Sequence, residues 1–122
     1  MATDAGKFVG LLFLARDVAH RAHLKTRSFS QHSALGEFYN EVIDLADSFA
    51  EACQGRYNEL LDIPLLDNDY EGEIASVLKQ QLDWIQKNRE KVCSRKETAL
   101  QNIIDEVEAL YYSTLYKLNF LE

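Results

Sequence analysis

The sequence contains very few of the residues that interrupt helices or build tight turns. Its 122 residues include one proline and five glycines, whereas folds made of many short strands need turn residues at short intervals. This scarcity argues against a β-rich or loop-rich architecture. The chain has a common size for a single domain, and its 47% hydrophobic residues are enough for one core. We therefore expect one domain over residues 1–122.

Long apolar runs are also missing. No run approaches the roughly 18 apolar residues that a membrane-spanning helix needs, so we expect no membrane partner. The apolar stretch from Phe8 to Leu14 follows Asp4 and is followed at once by Arg16 and Asp17. Because no small-residue cleavage site closes this stretch, it predicts a helix and not a signal peptide.

The sequence lacks paired cysteines and an excess of positive charge. Cys53 and Cys93 stand alone, without a CxxC pattern, which favours two reduced thiols in a cytoplasmic protein. The net charge is −7 and the isoelectric point is near 4.9. This balance argues against an extended surface for phosphate groups but leaves room for a local basic patch.

Four segments have the three- and four-residue recurrence of apolar positions that is typical of amphipathic helices. They run from about Thr3 to Lys25, from Ser30 or His32 to about Leu61, from about Glu73 to Lys91, and from about Ser94 to Leu118. Ser28 and Ser30 are candidate N-caps of the second segment. Ser94 and Glu97 have the spacing of a capping box, and Pro64 predicts where the second helix stops.

The connections between these segments predict the topology. The short gap at residues 26–30 predicts an antiparallel hairpin of the first two helices. The longer link at residues 62–72 has an Asp/Asn cluster that favours turns, and its Ile63, Leu65 and Leu66 predict that it lies on the bundle surface. Two hairpins joined by a longer link give an all-α, ferritin-like four-helix bundle with one crossover between helices 2 and 3.

One group of polar residues has the side chains that bind transition metals. His20 and His23 lie on the first segment and His32 on the second, while Asp47 and Glu51 are four residues apart and so share one helix face. His32 precedes Asp47 by close to four helical turns, which places it roughly on the same side. Imidazole and carboxylate together suit iron, manganese or zinc.

These candidate ligands flank the predicted core and do not enter it. The apolar stripe of the second helix centres near Leu35. At about 100° per residue, His32 lies about 60° from Leu35, and Asp47 and Glu51 lie about 120° and 160° from it. In a monomer this is the solvent face of a charged helix. In an oligomer the same flank can meet the histidines of a neighbour, and a metal held between subunits would then explain why the carboxylates lie beside the core.

The stretches from Ala19 to Tyr39 and from Asp44 to Ala52 resemble the Dps family. These DNA-protection-during-starvation ferritins are small four-helix proteins that usually assemble as dodecamers. Their pattern is His-Trp-Asn, then Phe, then His, then Asp-x-x-x-Glu, with a closing glycine. The members of that pattern that match here are His32, Asp47, Glu51 and Gly55. The resemblance extends to the last helix and covers most of the chain, but it is most specific over residues 19–55.

The resemblance implies a ferroxidase that uses non-haem iron in a homo-oligomer, a dimer at least and a dodecamer in the usual family form. Histidines of one subunit and the acidic pair of its two-fold mate would bind Fe(II) and oxidise it with peroxide, and ferric oxide would collect inside a hollow shell. His20 keeps the family's twelve-residue step to His32, whereas His23 keeps its frequent His-x-x-His start. We favour the set His23, His32, Asp47 and Glu51 and keep His20 as the alternative first histidine of the metal site. The implied location is the cytoplasm of a bacterium or of a phage-infected host.

The sequence also departs from the family pattern. Leu24 replaces the tryptophan after the first histidine, and Gly36, beside Glu37, replaces an acidic ligand four residues after the second histidine. The basic N-terminal tail that several relatives use on DNA is absent, because residues 1–7 contain a single lysine. These differences predict weaker iron occupancy and no DNA contact, and they make the chain look closest to compact phage versions of the family.

Two other functions are compatible with the same residues. One is a non-catalytic helical oligomer that keeps the ferritin-like fold and binds no metal. The other is an all-α nucleotide pyrophosphohydrolase, in which helix carboxylates would hold magnesium. The second function fits the acidic second helix but leaves the histidines without a role.

Overall fold

The computed structural model describes residues 3–122 and consists there of four α-helices without a strand. The helices are α1 (Asp4–Lys25), α2 (Phe29–Tyr57), α3 (Ile74–Val92) and α4 (Thr98–Phe120). The predicted all-α class and helix count are therefore confirmed. No helix in this part of the chain combines the length and the apolar character needed to span a membrane.

Each helix packs against two others and has one diagonal partner. α1 contacts α2 and α3, and α4 contacts the same two helices. The beginning of α1 and the end of α3 meet at one end of the bundle, where Thr3 and Val92 line one cavity. At the other end, Ser30 Oγ donates a hydrogen bond to the carbonyl oxygen of Leu121. Residues 58–73 therefore cross the whole length of the bundle between α2 and α3, which is the connectivity of ferritin-like folds.

Two glycines on α1 allow this crossover to lie directly on the helix. A Cβ atom on Gly6 would overlap the carbonyl oxygen of Asp62, and a Cβ atom on Gly10 would lie 2.8 Å from the carbonyl oxygen of Pro64. Because residues 6 and 10 are one turn apart, they form a continuous strip without side chains. The backbone of the crossover occupies this strip.

The core is almost entirely apolar. Among residues 3–122, the buried polar side chains are Gln81 and Thr114, and the largest buried rings include Phe8 and Phe38. The hydroxyl of the buried Tyr111 donates a hydrogen bond to Gln81 Oε1 at 2.8 Å. No imidazole or carboxylate is buried in the described chain. The ligand set of a metal site inside the bundle is therefore not available, and candidate ligands lie on the outside.

A polar network joins α3 to α4 at the side of the bundle. Arg89 donates hydrogen bonds to Asp105 and Glu108, both at 2.6 Å, and to the carbonyl oxygen of Gln101 at 3.0 Å. The amide of Gln101 in turn donates to the carbonyl oxygen of Cys93 at 2.8 Å. These bonds align the two helices of the second hairpin.

The two ends of α2 give different outcomes for the predictions. Ser28 is the N-cap, because its hydroxyl accepts a hydrogen bond from the backbone N–H of Gln31. The prediction that Pro64 ends this helix is wrong. The helix already ends at Tyr57, because Asn58 adopts the left-handed conformation with φ 52° and ψ 45°, which asparagine tolerates better than most residues.

The capping box predicted at the start of α4 is also wrong. The helix begins at Thr98, and the Glu97 side chain makes no capping hydrogen bond. Instead, Arg56 at the end of α2 donates two hydrogen bonds to the Glu97 carboxylate, at 2.7 and 3.0 Å. On the crossover, Ile63 packs against the core as predicted, but Leu65 is fully exposed.

Candidate functional site on the α1–α2 face

The structure brings the three histidines together where α1 ends and α2 begins. The rings of His23 and His32 stack with their centroids 3.7 Å apart and their planes at 18°. His20, one turn earlier on α1, stacks on Tyr39 at 4.3 Å, and the edge of His23 meets the same tyrosine ring at 5.3 Å. These four rings, which we call the histidine cluster, are all half-buried.

Hydrogen bonds fix the tautomers of His23 and His32. His23 Nδ1 lies 2.6 Å from the carbonyl oxygen of His32, and His32 Nδ1 lies 2.8 Å from the carbonyl oxygen of His23. Because a carbonyl oxygen only accepts, each Nδ1 atom must carry the proton, and each neutral ring has its lone pair on Nε2. An imidazole whose Nδ1–H is held by a backbone carbonyl is oriented as metal-binding histidines are. The same two bonds also tie the end of α1 to the start of α2.

Gly36 makes room for the His23 ring. A Cβ atom on Gly36 would lie 3.1 Å from His23 Cε1, tighter than an ordinary contact. The position where the Dps pattern has an acidic ligand therefore lies beneath an imidazole here. A carboxylate at position 36 would displace the stacked pair.

Asp47 and Glu51 lie on the outer side of α2, and both are exposed, as their angles from Leu35 predict. They are 15 and 19 residues beyond His32, which is about 22 and 28 Å along a helix. Nitrogen and oxygen ligands lie only about 2 Å from a transition metal, so one protomer cannot combine these carboxylates with its own histidines. Within residues 3–122, no group of three or more His, Cys, Asp or Glu side chains could hold a metal ion.

The histidine and the carboxylates belong to one line of side chains along α2. Starting from Phe29, the members follow at steps of 3, 4, 4, 3, 4, 4 and 3 residues, which keeps them on one side of a helix. None of them is buried. We call this line the α2 strip; its members are Phe29, His32, Gly36, Asn40, Ile43, Asp47, Glu51 and Gln54. Its sequence of steps is the same from either end.

Large apolar side chains are exposed next to the histidine cluster. Phe29 is 82% exposed, with its ring 6.3 Å from that of His32, and Leu24 is 71% exposed. Large exposed apolar side chains are candidates for contact with another molecule when they form part of one patch. The α1–α2 face therefore has both candidate ligands and large exposed apolar side chains.

Two members of this site were not singled out from the sequence as parts of it. Tyr39 follows the apolar recurrence of α2, and its angle of about 40° from Leu35 also puts it on the same side as His32. Gly36 was noted only as a missing carboxylate. Its role follows from the packing of His23, which only the three-dimensional structure reveals.

The fold and this face define a four-helix bundle protein of ferritin-like connectivity with a histidine cluster on its surface. Residues 23–118 match a protein family described as "Family of unknown function (DUF5856)", and the chain belongs to this family. The matched range includes His23, His32, Asp47 and Glu51, while His20 lies outside it.

The chain is also similar to a protein of Enterobacteria phage T4 described as "Uncharacterized 14.6 kDa protein in mobD-ri intergenic region". The two are 26% identical over 117 residues, which cover 96% of this chain and 89% of the phage protein. No solved structure matches the chain.

Proposed function

We propose that this protein associates through its α1–α2 face and binds and oxidises Fe(II) at sites shared by two copies of the chain, as the resemblance to Dps-type ferritins implies. The observation that carries the proposal is the symmetric spacing of the α2 strip. A site of this kind needs imidazoles and carboxylates from different copies, and the strip has both at positions that a two-fold axis would pair.

The pairing follows from simple geometry. We place two copies of α2 antiparallel, with a two-fold axis that passes between Asn40 and Ile43. Each residue then faces the residue of the other copy for which the two residue numbers add up to 83. His32 of one copy then faces Glu51 of the other, and Gly36, with the His23 ring above it, faces Asp47. The interface is isologous, so the same pairs occur twice. Helices that pack nearly antiparallel keep such contacts over many turns.

The facing groups are chemically suited to iron. The Nε2 lone pairs of His23 and His32 point away from their hydrogen-bonded Nδ1 atoms, and the carboxylates of Asp47 and Glu51 make no hydrogen bond or ion pair within residues 3–122. Imidazole nitrogen and carboxylate oxygen together suit Fe(II). Each Fe(II) gives up one electron, and two electrons with two protons reduce one hydrogen peroxide to two waters.

Gly36 limits how much iron such a site would hold. The Dps pattern has one further carboxylate at this position, and here the His23 ring occupies that space. We therefore expect one iron ion per site instead of two. His20, stacked on Tyr39, stays the alternative first imidazole of the proposed ligand set.

The test is the rate at which ferric absorbance appears after Fe(II) and hydrogen peroxide are added. The double variant Asp47→Asn/Glu51→Gln should oxidise iron at least about tenfold more slowly, because it loses the charged ligands. The control variant Glu41→Gln/Asp44→Asn changes the net charge equally at two α2 carboxylates that are not members of the α2 strip, and it should match the parent protein. Equal rates for the parent and the Asp47/Glu51 variant would contradict the proposal.

Mixing two inactive variants tests whether the site is shared. His32→Asn keeps a donor for the carbonyl oxygen of His23 but removes the Nε2 ligand. When this variant is unfolded and refolded with the Asp47→Asn/Glu51→Gln variant, half of the dimers are mixed, and each mixed dimer has one intact site. The mixture should regain about a quarter of the parent activity. A mixture that stays inactive although mixed dimers form would show that the ligands do not meet across the interface.

A second candidate is a non-catalytic assembly protein with the same fold. The reciprocal hydrogen bonds of His23 and His32 favour it, because they give both imidazoles a structural role at the α1–α2 turn. In that case, the purified protein would associate in solution but would neither retain nor oxidise iron. Sedimentation velocity together with metal analysis separates the two candidates.

A further inference from the structure

A cavity of about 400 Å³ lies between α1, the crossover and α3. No residue of α2 or of the histidine cluster lines it. Its apolar walls come from three elements, with Leu11 and Leu14 on α1, Leu66 on the crossover and Trp84 on α3. This volume and this apolar lining are within the range of small-molecule sites.

The charged groups that line this cavity are two carboxylates and one ammonium. Asp67 and Asp69 come from the crossover, and Lys7 comes from α1. None of the three makes an ion pair or a side-chain hydrogen bond within residues 3–122. The local balance is one negative charge, in a chain whose net charge is −7. The cavity therefore attracts cations and repels anions.

We propose that this cavity binds a linear aliphatic polyamine, such as a diamine or triamine with methylene spacers. Its ammonium groups pair with Asp67 and Asp69, which supply charge-assisted acceptors. Its methylene groups lie on the leucine side chains and against the ring of Trp84, which also attracts cations through its π face. This activity is independent of the proposed iron chemistry, since the two sites share no residue.

The shape of the cavity distinguishes a polyamine from a metal ion. The two carboxylates alone do not make this distinction, because a divalent ion such as Mg²⁺ keeps several of its waters and can bind to one or two carboxylates. An apolar wall gives no benefit to a hydrated ion, whereas it stabilises the methylene chain of an amine. Mg²⁺ is therefore the appropriate control for charge alone.

Trp84 supplies a direct measurement, because it is the one tryptophan of the chain and lines the cavity. Spermidine added to the full-length protein should change its fluorescence in a saturable way, and calorimetry should give the same dissociation constant. Mg²⁺ at the same concentrations should leave the fluorescence unchanged. The absence of a saturable response to spermidine would refute the proposal, as would an equal response to Mg²⁺.

Two variants of equal charge separate a site from general attraction. Asp67→Asn/Asp69→Asn and Glu41→Gln/Asp44→Asn both change the net charge from −7 to −5, but only the first pair lines the cavity. The cavity variant should bind spermidine at least about tenfold more weakly, because it loses two charge-assisted contacts. The dissociation constant of the control variant for spermidine should differ from that of the parent protein by less than about twofold. Equal weakening in the two variants would show that spermidine responds to net charge and not to this cavity.

Discussion

The contact between α1 and the crossover gives a test of the fold that needs three single substitutions. Gly6→Ala places a methyl group on the carbonyl oxygen of Asp62, and Gly10→Ala places one 2.8 Å from that of Pro64. Gly55→Ala is the matched control, since it lies on α2 with nothing within 4 Å of its added Cβ atom. All three make the same chemical change within a helix.

Two opposing terms decide the size of the effect. Replacing glycine by alanine inside a helix stabilises by about 0.5–1 kcal/mol, and overpacking costs about 1–3 kcal/mol. Gly55→Ala should therefore raise the free energy of unfolding by about 0.5–1 kcal/mol. Gly6→Ala should lower the free energy of unfolding by about 1–2 kcal/mol on balance, because a backbone carbonyl group can move aside less easily than a side chain. Gly10→Ala should lie between the two, since its overlap is only a few tenths of an ångström.

Urea denaturation followed by circular dichroism measures these differences, provided that the free energy of unfolding falls with urea concentration at the same slope in all variants. The expected difference in the free energy of unfolding between Gly55→Ala and Gly6→Ala is about 1.5–3 kcal/mol, which is about 10 °C in melting temperature for a chain of this size. If Gly6→Ala were as stable as Gly55→Ala, the crossover could not lie on α1 as described.

Two further predictions concern the interior of the bundle and the α3–α4 network. Tyr111→Phe should destabilise by about 1–2 kcal/mol, because Gln81 loses its one hydrogen bond. The double variant Gln81→Leu/Tyr111→Phe should instead be as stable as the parent protein or more so, because it also removes the buried Gln81 Nε2 atom that lacks a partner. If the double variant were less stable in urea than the parent protein, the buried pair would stabilise the fold by more than its hydrogen bond. Arg89→Ala should cost about 2 kcal/mol, since it leaves two carboxylates of α4 without their partner, whereas the exposed Arg95→Ala should cost less than about 0.5 kcal/mol. Equal costs for the two arginines in thermal denaturation would contradict the role assigned to the network.

Local patterns in the sequence predicted most of the fold. The apolar recurrence placed α1 and α3 to within one or two residues, because a helix of regular amphipathic pattern needs no distant information. The two wrong boundaries depend on single residues. Asn58 ends α2 through its own backbone conformation, and Glu97 leaves the capping role because Arg56, distant in sequence, attracts its carboxylate.

Local patterns in the sequence likewise predicted one part of the candidate site and not the other. The angles around α2 predicted that Asp47 and Glu51 lie outside the core, and both are exposed. The stacking of His23 on His32 could not be predicted, because it depends on the path of a three-residue turn and on the absence of a side chain at Gly36. The pairing of imidazoles with carboxylates stays a prediction, because it depends on a second copy of the chain.

The order of the contacts has a consequence for how the chain folds as it is synthesised. α2 docks on α1, the crossover runs over Gly6 and Gly10 of α1, and α3 packs against α1 as well. Only α4 does not pack against α1, and its two partners, α2 and α3, both precede it in the chain. At every stage, the newly made segment therefore meets a surface that has already left the ribosome. The helix α1 provides the surface on which α2, the crossover and α3 pack, and α4 then covers the apolar sides of α2 and α3.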